Sequence, residues 1–282
     1  MIGQNLLRAT TPRPGDPVAA LRDLEFRVFS QFGEDGIIAY LAQHVSQPNA
    51  CFVEIGVEDY KEANTRFLLL SRNWRGVAVD ATSHHRAELE RTGLMWRHHI
   101  DAIVAFVEPD NIDRLLDQAN VPQEIGLFSL DIDGSDYWVI RATRRSAKIV
   151  IVEYNAGFGP EAPITVPYER RFRRSEKHFS NLYFGASLAA FDHLLRSRGY
   201  RLVGCNSAGN NAFFLHDSID CGLPTLSPKE AYVASSVREA RDQHGRLTYC
   251  SLTDPTSARL LMSLPVHDVA RDVEAPLGSY LG

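Results

Sequence analysis

Short continuous apolar runs alternate along this 282-residue chain with stretches of helical period. Cys51-Phe-Val-Glu-Ile-Gly reads as the first core strand and Gly76-Val-Ala-Val-Asp80 as the second. Runs of this length fit strands buried on both faces of a parallel sheet. Residues 62–71 form a helix with Phe67, Leu68 and Leu70 inward, and residues 84–91 form another. Leu94 to Ile100 reads as the third strand, ending just before Asp101. Pro109 opens a helix that runs to about Ala119. Two further strands follow, in Gly126 to Leu130 and Ala147 to Val152, separated by a helix from Tyr137 to about Arg144.

Upstream of the first strand, residues 1 to about 17 carry Pro and Gly and little apolar content, and read as an arm. Leu21 to Val28 is a short helix. Gly36 to Val45 is a second, with Ile37, Ile38, Leu41 and Val45 on one face, and Gln31, Glu34 and Asp35 stand where acids and amides cap a helix. After Asn155 the pattern lapses for about 30 residues, and Pro160, Pro163 and Pro167 mark a long irregular loop of the kind that tends to be functional. Helical period returns at Ala186 and ends before Gly199. Two strands, 200–205 and 212–216, join through the turn residues 206–211 as an antiparallel hairpin. Residues 217–282 are weakly patterned. The expected organisation is therefore an N-terminal arm and helices over 1–48, a core over 49–216 with an insert at about 156–184, and a C-terminal extension over 217–282. Strands alternating with helices demand an α/β fold with right-handed crossovers: a Rossmann-like, doubly wound, mostly parallel sheet ending in an antiparallel hairpin.

Composition narrows the partners. At 44% hydrophobic residues the chain can bury a full core. A net charge of -5 and a pI near 6.1 argue against nucleic acid. No apolar run approaches the ~20 residues of a membrane span, and no signal-peptide pattern is visible, so a cytoplasmic protein without membrane contact is expected. Cys51, Cys205, Cys221 and Cys250 lack metal or redox spacing, and self-association stays open.

Chemistry concentrates where strands end. The run GLFSLDIDGSDYW (126–138) delivers Asp131, Asp133 and Asp136 just past an apolar strand, and the next strand ends on Glu153 and Asn155. Ligands of open α/β sheets sit outside the carboxyl ends of the strands, and hard oxygen donors from two neighbouring strands suggest a divalent cation. Asp136 reads as a helix cap. His98 and His99 would lie on the third strand, one of them facing inward.

These residues resemble a known family. Phe52-Val-Glu-Ile-Gly is similar to the first motif of the class I S-adenosylmethionine (SAM) methyltransferases, which implies a seven-stranded sheet and places Glu54 and Gly56 beside SAM. The resemblance makes Asp80 the ligand of the ribose hydroxyls, puts Asp101 near the adenine, and lets Arg66 pair with the SAM carboxylate. With Ser30-Gln-Phe-Gly-Glu-Asp, which brings in Gln31, the likeness is to the FkbM-type branch over about residues 29–216. The usual G-x-G-x-G is absent, and Glu58 and Asp59 stand where small residues are common. The fourth and fifth strand ends resemble metal-dependent sugar O-methyltransferases of the macrocin type. That likeness implies Mg²⁺ on Asp131 and Glu153 with Asn155 or Asp136 as a further donor, Asp131 also facing SAM, and Asp133 as general base. His178, in the irregular loop, is a further candidate base. The expected activity is methylation of a sugar, glycan or other hydroxylated small acceptor. Two alternatives use the same residues. Asp131-Ile-Asp133 is formally the D-x-D of a metal-dependent glycosyltransferase, and loss of G-x-G-x-G suits a non-catalytic SAM-fold binding module.

Overall fold

The computed structural model describes residues 17–252 and 254–281, so the arm expected over residues 1 to about 17 lies outside it apart from its last residue. Seven strands form the main sheet: β1 (Cys51–Ile55), β2 (Arg75–Asp80), β3 (Ile100–Val104), β4 (Glu124–Leu130), β5 (Ser146–Glu153), β7 (Tyr200–Cys205) and β8 (Asn211–His216). Their order is β3-β2-β1-β4-β5-β8-β7. β1 to β5 run parallel, and the β7–β8 hairpin enters antiparallel, with β8 against β5. This is a doubly wound, mostly parallel sheet closed by an antiparallel hairpin.

Alternation along β1 shows how both faces are filled. Phe52 joins Ile37, Ile38, Leu68 and Leu89 on one side of the sheet. Its neighbour Val53 joins Ile112, Leu116, Tyr137 and Leu188 on the other. Successive side chains of a strand point to opposite faces, so a run apolar at every position needs helices on both sides. That requirement fixes the layering.

Several boundaries differ from the sequence reading. Among the described residues the first helix is Pro17–Arg22 rather than Leu21 to Val28, and the helix after β1 is Arg66–Arg72. The helix before β4 begins at Ile112, past Pro109. Leu94–Arg97 is a helical turn, restarted by Gly93 at φ +66, and β3 begins only at Ile100. Hydrophobicity misled there because Trp96 faces solvent (88% exposed) while the true edge strand carries an acid. His98 and His99 consequently precede the strand rather than lying on it.

A second, three-stranded antiparallel sheet was not legible. β6 (Ile164–Thr165) of the insert pairs with β9 (Pro265–Asp268), which pairs with β10 (Val273–Pro276). Phe158, Ile164, Phe172, Leu261, Val266 and Leu277 bury a core of their own between insert and extension. No helix among the described residues is long and apolar enough to cross a membrane.

The N-terminal acids are cross-links. Asp35 accepts from the backbone N–H of Val28, Phe29 and Ser30 at 2.7, 2.7 and 2.8 Å. Glu34, fully buried, accepts from Phe32 N at 2.9 Å and from the side-chain amides of Asn206 and Asn211 at 2.6 and 3.1 Å. Asn206 in turn accepts three backbone N–H groups of the hairpin turn. One carboxylate therefore ties the N-terminal helix to the far edge of the sheet. Glu34→Ala strands two buried amides and is expected to cost about 3 kcal/mol, read as a lowered urea midpoint. A loss below about 1 kcal/mol would refute this bridging role.

Candidate functional site

The carboxyl ends of β1, β2, β3, β4 and β5 open onto one cleft of about 400 Å³, a size suited to a small-molecule ligand. It lies at the switch point between β1 and β4, where crossovers leave to opposite sides of the sheet. At the end of β1 the chain turns through Gly56 at φ +84, and a Cβ there would collide with the Asp131 carbonyl. Glycine is required for the two loops to pass this closely.

Glu54 does not line the cleft. It is buried, and its carboxylate accepts from Asn64 N at 2.7 Å, Thr65 N at 2.9 Å and Thr65 Oγ1 at 2.5 Å. Burial pushes its pKa up against those bonds. It anchors the loop that leads into the helix Arg66–Arg72. Arg66 is likewise absorbed by structure, since Nη1 donates to the Tyr60 carbonyl at 2.7 Å and the guanidinium lies 5.0 Å from the Phe29 ring centroid. It is not among the cleft-lining residues, which corrects its expected pairing with a bound ligand.

Asp80 does face the cleft. Its Oδ2 accepts from Glu58 N at 2.9 Å and its Oδ1 from Thr82 N at 2.7 Å and Thr82 Oγ1 at 2.9 Å, which fixes the carboxylate and leaves acceptor capacity on Oδ2. In the loop after β1, Glu58 is exposed and lines the cleft, whereas Asp59 pairs with Lys61 outside the lining. Asp101 is displaced altogether. It is the second residue of β3, level with Val77, and so sits near the opposite end of the strand from the cleft. Residues 105–107, after the true end of β3, line the cleft in its place. Gln31 lines it too, presented by the loop that Asp35 holds.

At the other end Asp131, Asp133 and Glu153 each offer a carboxylate oxygen, all three within 4.8 Å of one another. Burial, and then the charges of Asp133 and Asp136, push the Asp131 pKa well up. Glu153 is raised well up by burial and the three aspartates. Asp133, held at φ +57, is raised by burial and pulled back by Arg174, whose Nη1 lies 3.0 Å from Asp133 Oδ1. Asp136 is a clamp: it accepts from Ile132 N and Gly134 N at 2.9 Å each, fixing the acidic loop, and burial lifts its pKa to about 6. Asn155 lines the cleft, but its amide is spoken for, accepting from Gly157 N and donating to the carbonyls of Leu182 and Phe184. His178 is outside the lining; its Nδ1 faces Ser180 Oγ at 2.7 Å and orders the turn 178–180.

Other cleft residues escaped the sequence reading. Arg174 enters from the helical turn Arg174–Lys177, bridges Asp133 to Glu239, and stacks on Phe184 with 5.1 Å to the ring centroid. Phe172 packs against Gly134, under the acidic loop. Tyr232, Ser235, Arg238, Glu239 and Leu252 bring the C-terminal extension into the wall.

No family model matches this sequence, and no curated protein does. Among solved structures, the chain is similar to a protein of Klebsiella pneumoniae described as an O-methyltransferase: 14% identity, TM-score 0.41, covering 76% of this chain and 94% of that one. It is also similar to cofactor-bound Rv0187 from MTB, at 16% identity and TM-score 0.41, over 77% and 88% of the two chains. A third likeness is to NcsB1, an O-methyltransferase of neocarzinostatin biosynthesis in complex with S-adenosyl-L-homocysteine and 1,4-dihydroxy-2-naphthoic acid. There the identity is 16% and the TM-score 0.38, over 62% of this chain. The chain spans about half of that protein's length (52%).

The raised carboxyl pKa values fix the sign of a pH effect. Groups that hold protons more tightly in the folded state stabilise it fully below their unfolded values near 4, and that stability is lost as pH rises through the folded values, about 6 for Asp136. In EDTA, the denaturant midpoint should therefore fall between pH 4 and 7, and Asp131→Asn should flatten that fall. Parallel pH profiles for the two proteins would show the cluster to be electrostatically idle.

Proposed function

We propose that this chain is a SAM-dependent methyltransferase acting on an oxygen of a sugar or other hydroxylated small acceptor with help from Mg²⁺. The observation that carries the reading is the division of one cleft between two kinds of carboxylate. Asp80, at the end of β2, is fixed beside the Gly56 turn with acceptor capacity to spare. Asp131, Asp133 and Glu153 crowd together at the ends of β4 and β5. A vicinal diol can give two hydrogen bonds to one fixed carboxylate, and Gly56, which lines the same cleft, lets the loop after β1 pass against Asp131 so that both kinds of carboxylate share one space.

SAM would supply an electrophilic methyl group and Mg²⁺ would lower the pKa of the acceptor hydroxyl. The donor set fits such an ion: three oxygens that repel each other in partial burial suit a hard divalent cation. Asp131 and Glu153 would hold it. Asp133, on the more open side of the cluster, would take the acceptor proton, and the neighbouring Arg174 keeps that carboxylate oriented. Phe172, Phe184 and Tyr232 wall the acceptor side against water.

A D-x-D glycosyltransferase would employ the same cluster but leave the Asp80 and Gly56 arrangement without a task. Calorimetric titration with S-adenosylhomocysteine and with UDP- and GDP-sugars, each in Mg²⁺ and in EDTA, separates these readings. Micromolar binding of S-adenosylhomocysteine is expected, weakened roughly tenfold or more in Asp80→Ala, the scale of one or two charge-assisted hydrogen bonds. Binding of a nucleotide sugar alone, lost in EDTA, would sink the methyltransferase reading. Asp133→Asn should retain S-adenosylhomocysteine binding while turnover falls by about 10²-fold or more; normal turnover would exclude Asp133 as base.

A further inference from the structure

Arg174 meets the acid cluster from outside the sheet. Nη1 stands 3.0 Å from Asp133 Oδ1, Nη2 pairs with Glu239 Oε2, and the side chain is 22% exposed. Phe184 supports the guanidinium plane from one side. A guanidinium carries five donors, has no acceptor and keeps its charge at any working pH. It is therefore a permanent cation on one of the three carboxylates that lie within 4.8 Å of one another.

From this geometry we propose that Arg174 is an internal competitor for the cation site, and that Glu239 sets how strongly it competes. The proposal rests on the divalent-cation reading above. A cation held by Asp131 and Glu153 lies within reach of the Asp133 carboxylate that Arg174 already pairs with, and it meets the repulsion of a fixed positive charge. Glu239 belongs to the C-terminal extension, 65 residues away in sequence. By sharing the guanidinium, it weakens the grip of Arg174 on Asp133. Cation affinity is thus set partly by a residue that could never be a ligand.

Two substitutions should move that affinity in opposite directions. Mn²⁺ titrated calorimetrically into the full-length protein should bind Arg174→Gln about tenfold more tightly than wild type, the order of one partly buried ion pair. Glu239→Gln, which leaves Arg174 to Asp133 alone, should bind several-fold more weakly. General loosening of the cleft would weaken both variants, so an Arg174→Gln protein that binds no more tightly than wild type overturns the proposal. Circular dichroism checks folding; if Arg174→Gln does not fold, Glu239→Gln decides alone, and unchanged or tighter binding there refutes the idea. Asp131→Asn separates the two levels. Mn²⁺ binding lost in Asp131→Asn but equal in wild type, Arg174→Gln and Glu239→Gln sinks the competition and spares the cation site. Absence of binding in wild type and in both variants sinks the cation site, and the competition with it.

Discussion

Mutual repulsion among Asp131, Asp133 and Glu153 is the constraint to which the rest of the cleft answers. Three carboxylates within 4.8 Å would relax apart if their loops allowed it. The loops do not allow it. Asp136 pins the turn after β4 through two backbone N–H groups, and Asn155 pins the segment after β5 through two carbonyls and one N–H. Gly56 lets the β1 loop close directly over the Asp131 backbone. The cluster is thus held in place by hydrogen bonds that are individually ordinary. Preorganised charge of this kind is what a site needs if a cation or a developing charge is to be bound without rearrangement.

The acids of this chain divide into two groups that sequence alone could not separate. Glu34, Glu54 and Asp136 are buried and saturated with donors, and they carry loops and helix starts. Asp80, Asp131, Asp133 and Glu153 keep a face to the cleft. All seven stand near strand or helix ends, where either task is chemically reasonable. What distinguishes them is whether the local loop turns each side chain into the protein or toward the cleft, and that is set by loop conformations such as the left-handed turns at Gly56 and Asp133. Glu54 shows the difficulty well. An acid near the end of a first strand invites a ligand, yet its three partners come from residues 64 and 65 of its own loop.

Continuous apolar runs, buried on both faces, made β1, β2, β4 and β5 readable, and the turn chemistry of 206–211 exposed the hairpin. Most of the strand-end acids followed from those strands. β3 was misplaced because an edge strand tolerates Asp101 while Trp96 sits in solvent, which inverts the usual hydropathy signal. The ion pairs of Arg174 with Asp133 and Glu239 were out of reach for a different reason. Their partners lie tens of residues away, in segments whose own pattern is polar and irregular. β6 is only two residues long, too short for any periodicity to register, although it joins the insert to the C-terminal extension.

That small second sheet has a consequence for how such a protein can change over time. One wall of the cleft is built by two segments far apart in sequence, the insert and the C-terminal extension. β6–β9 pairing, the bond from Tyr183 OH to the Pro265 carbonyl and a common apolar core lock them together. The seven-stranded sheet can be inherited unchanged beneath them, but neither segment can be exchanged alone without exposing the core that they share. Variation in what the cleft accepts is therefore expected to arrive as matched pairs of changes in two distant stretches of the gene, with the strand ends between them left as they are.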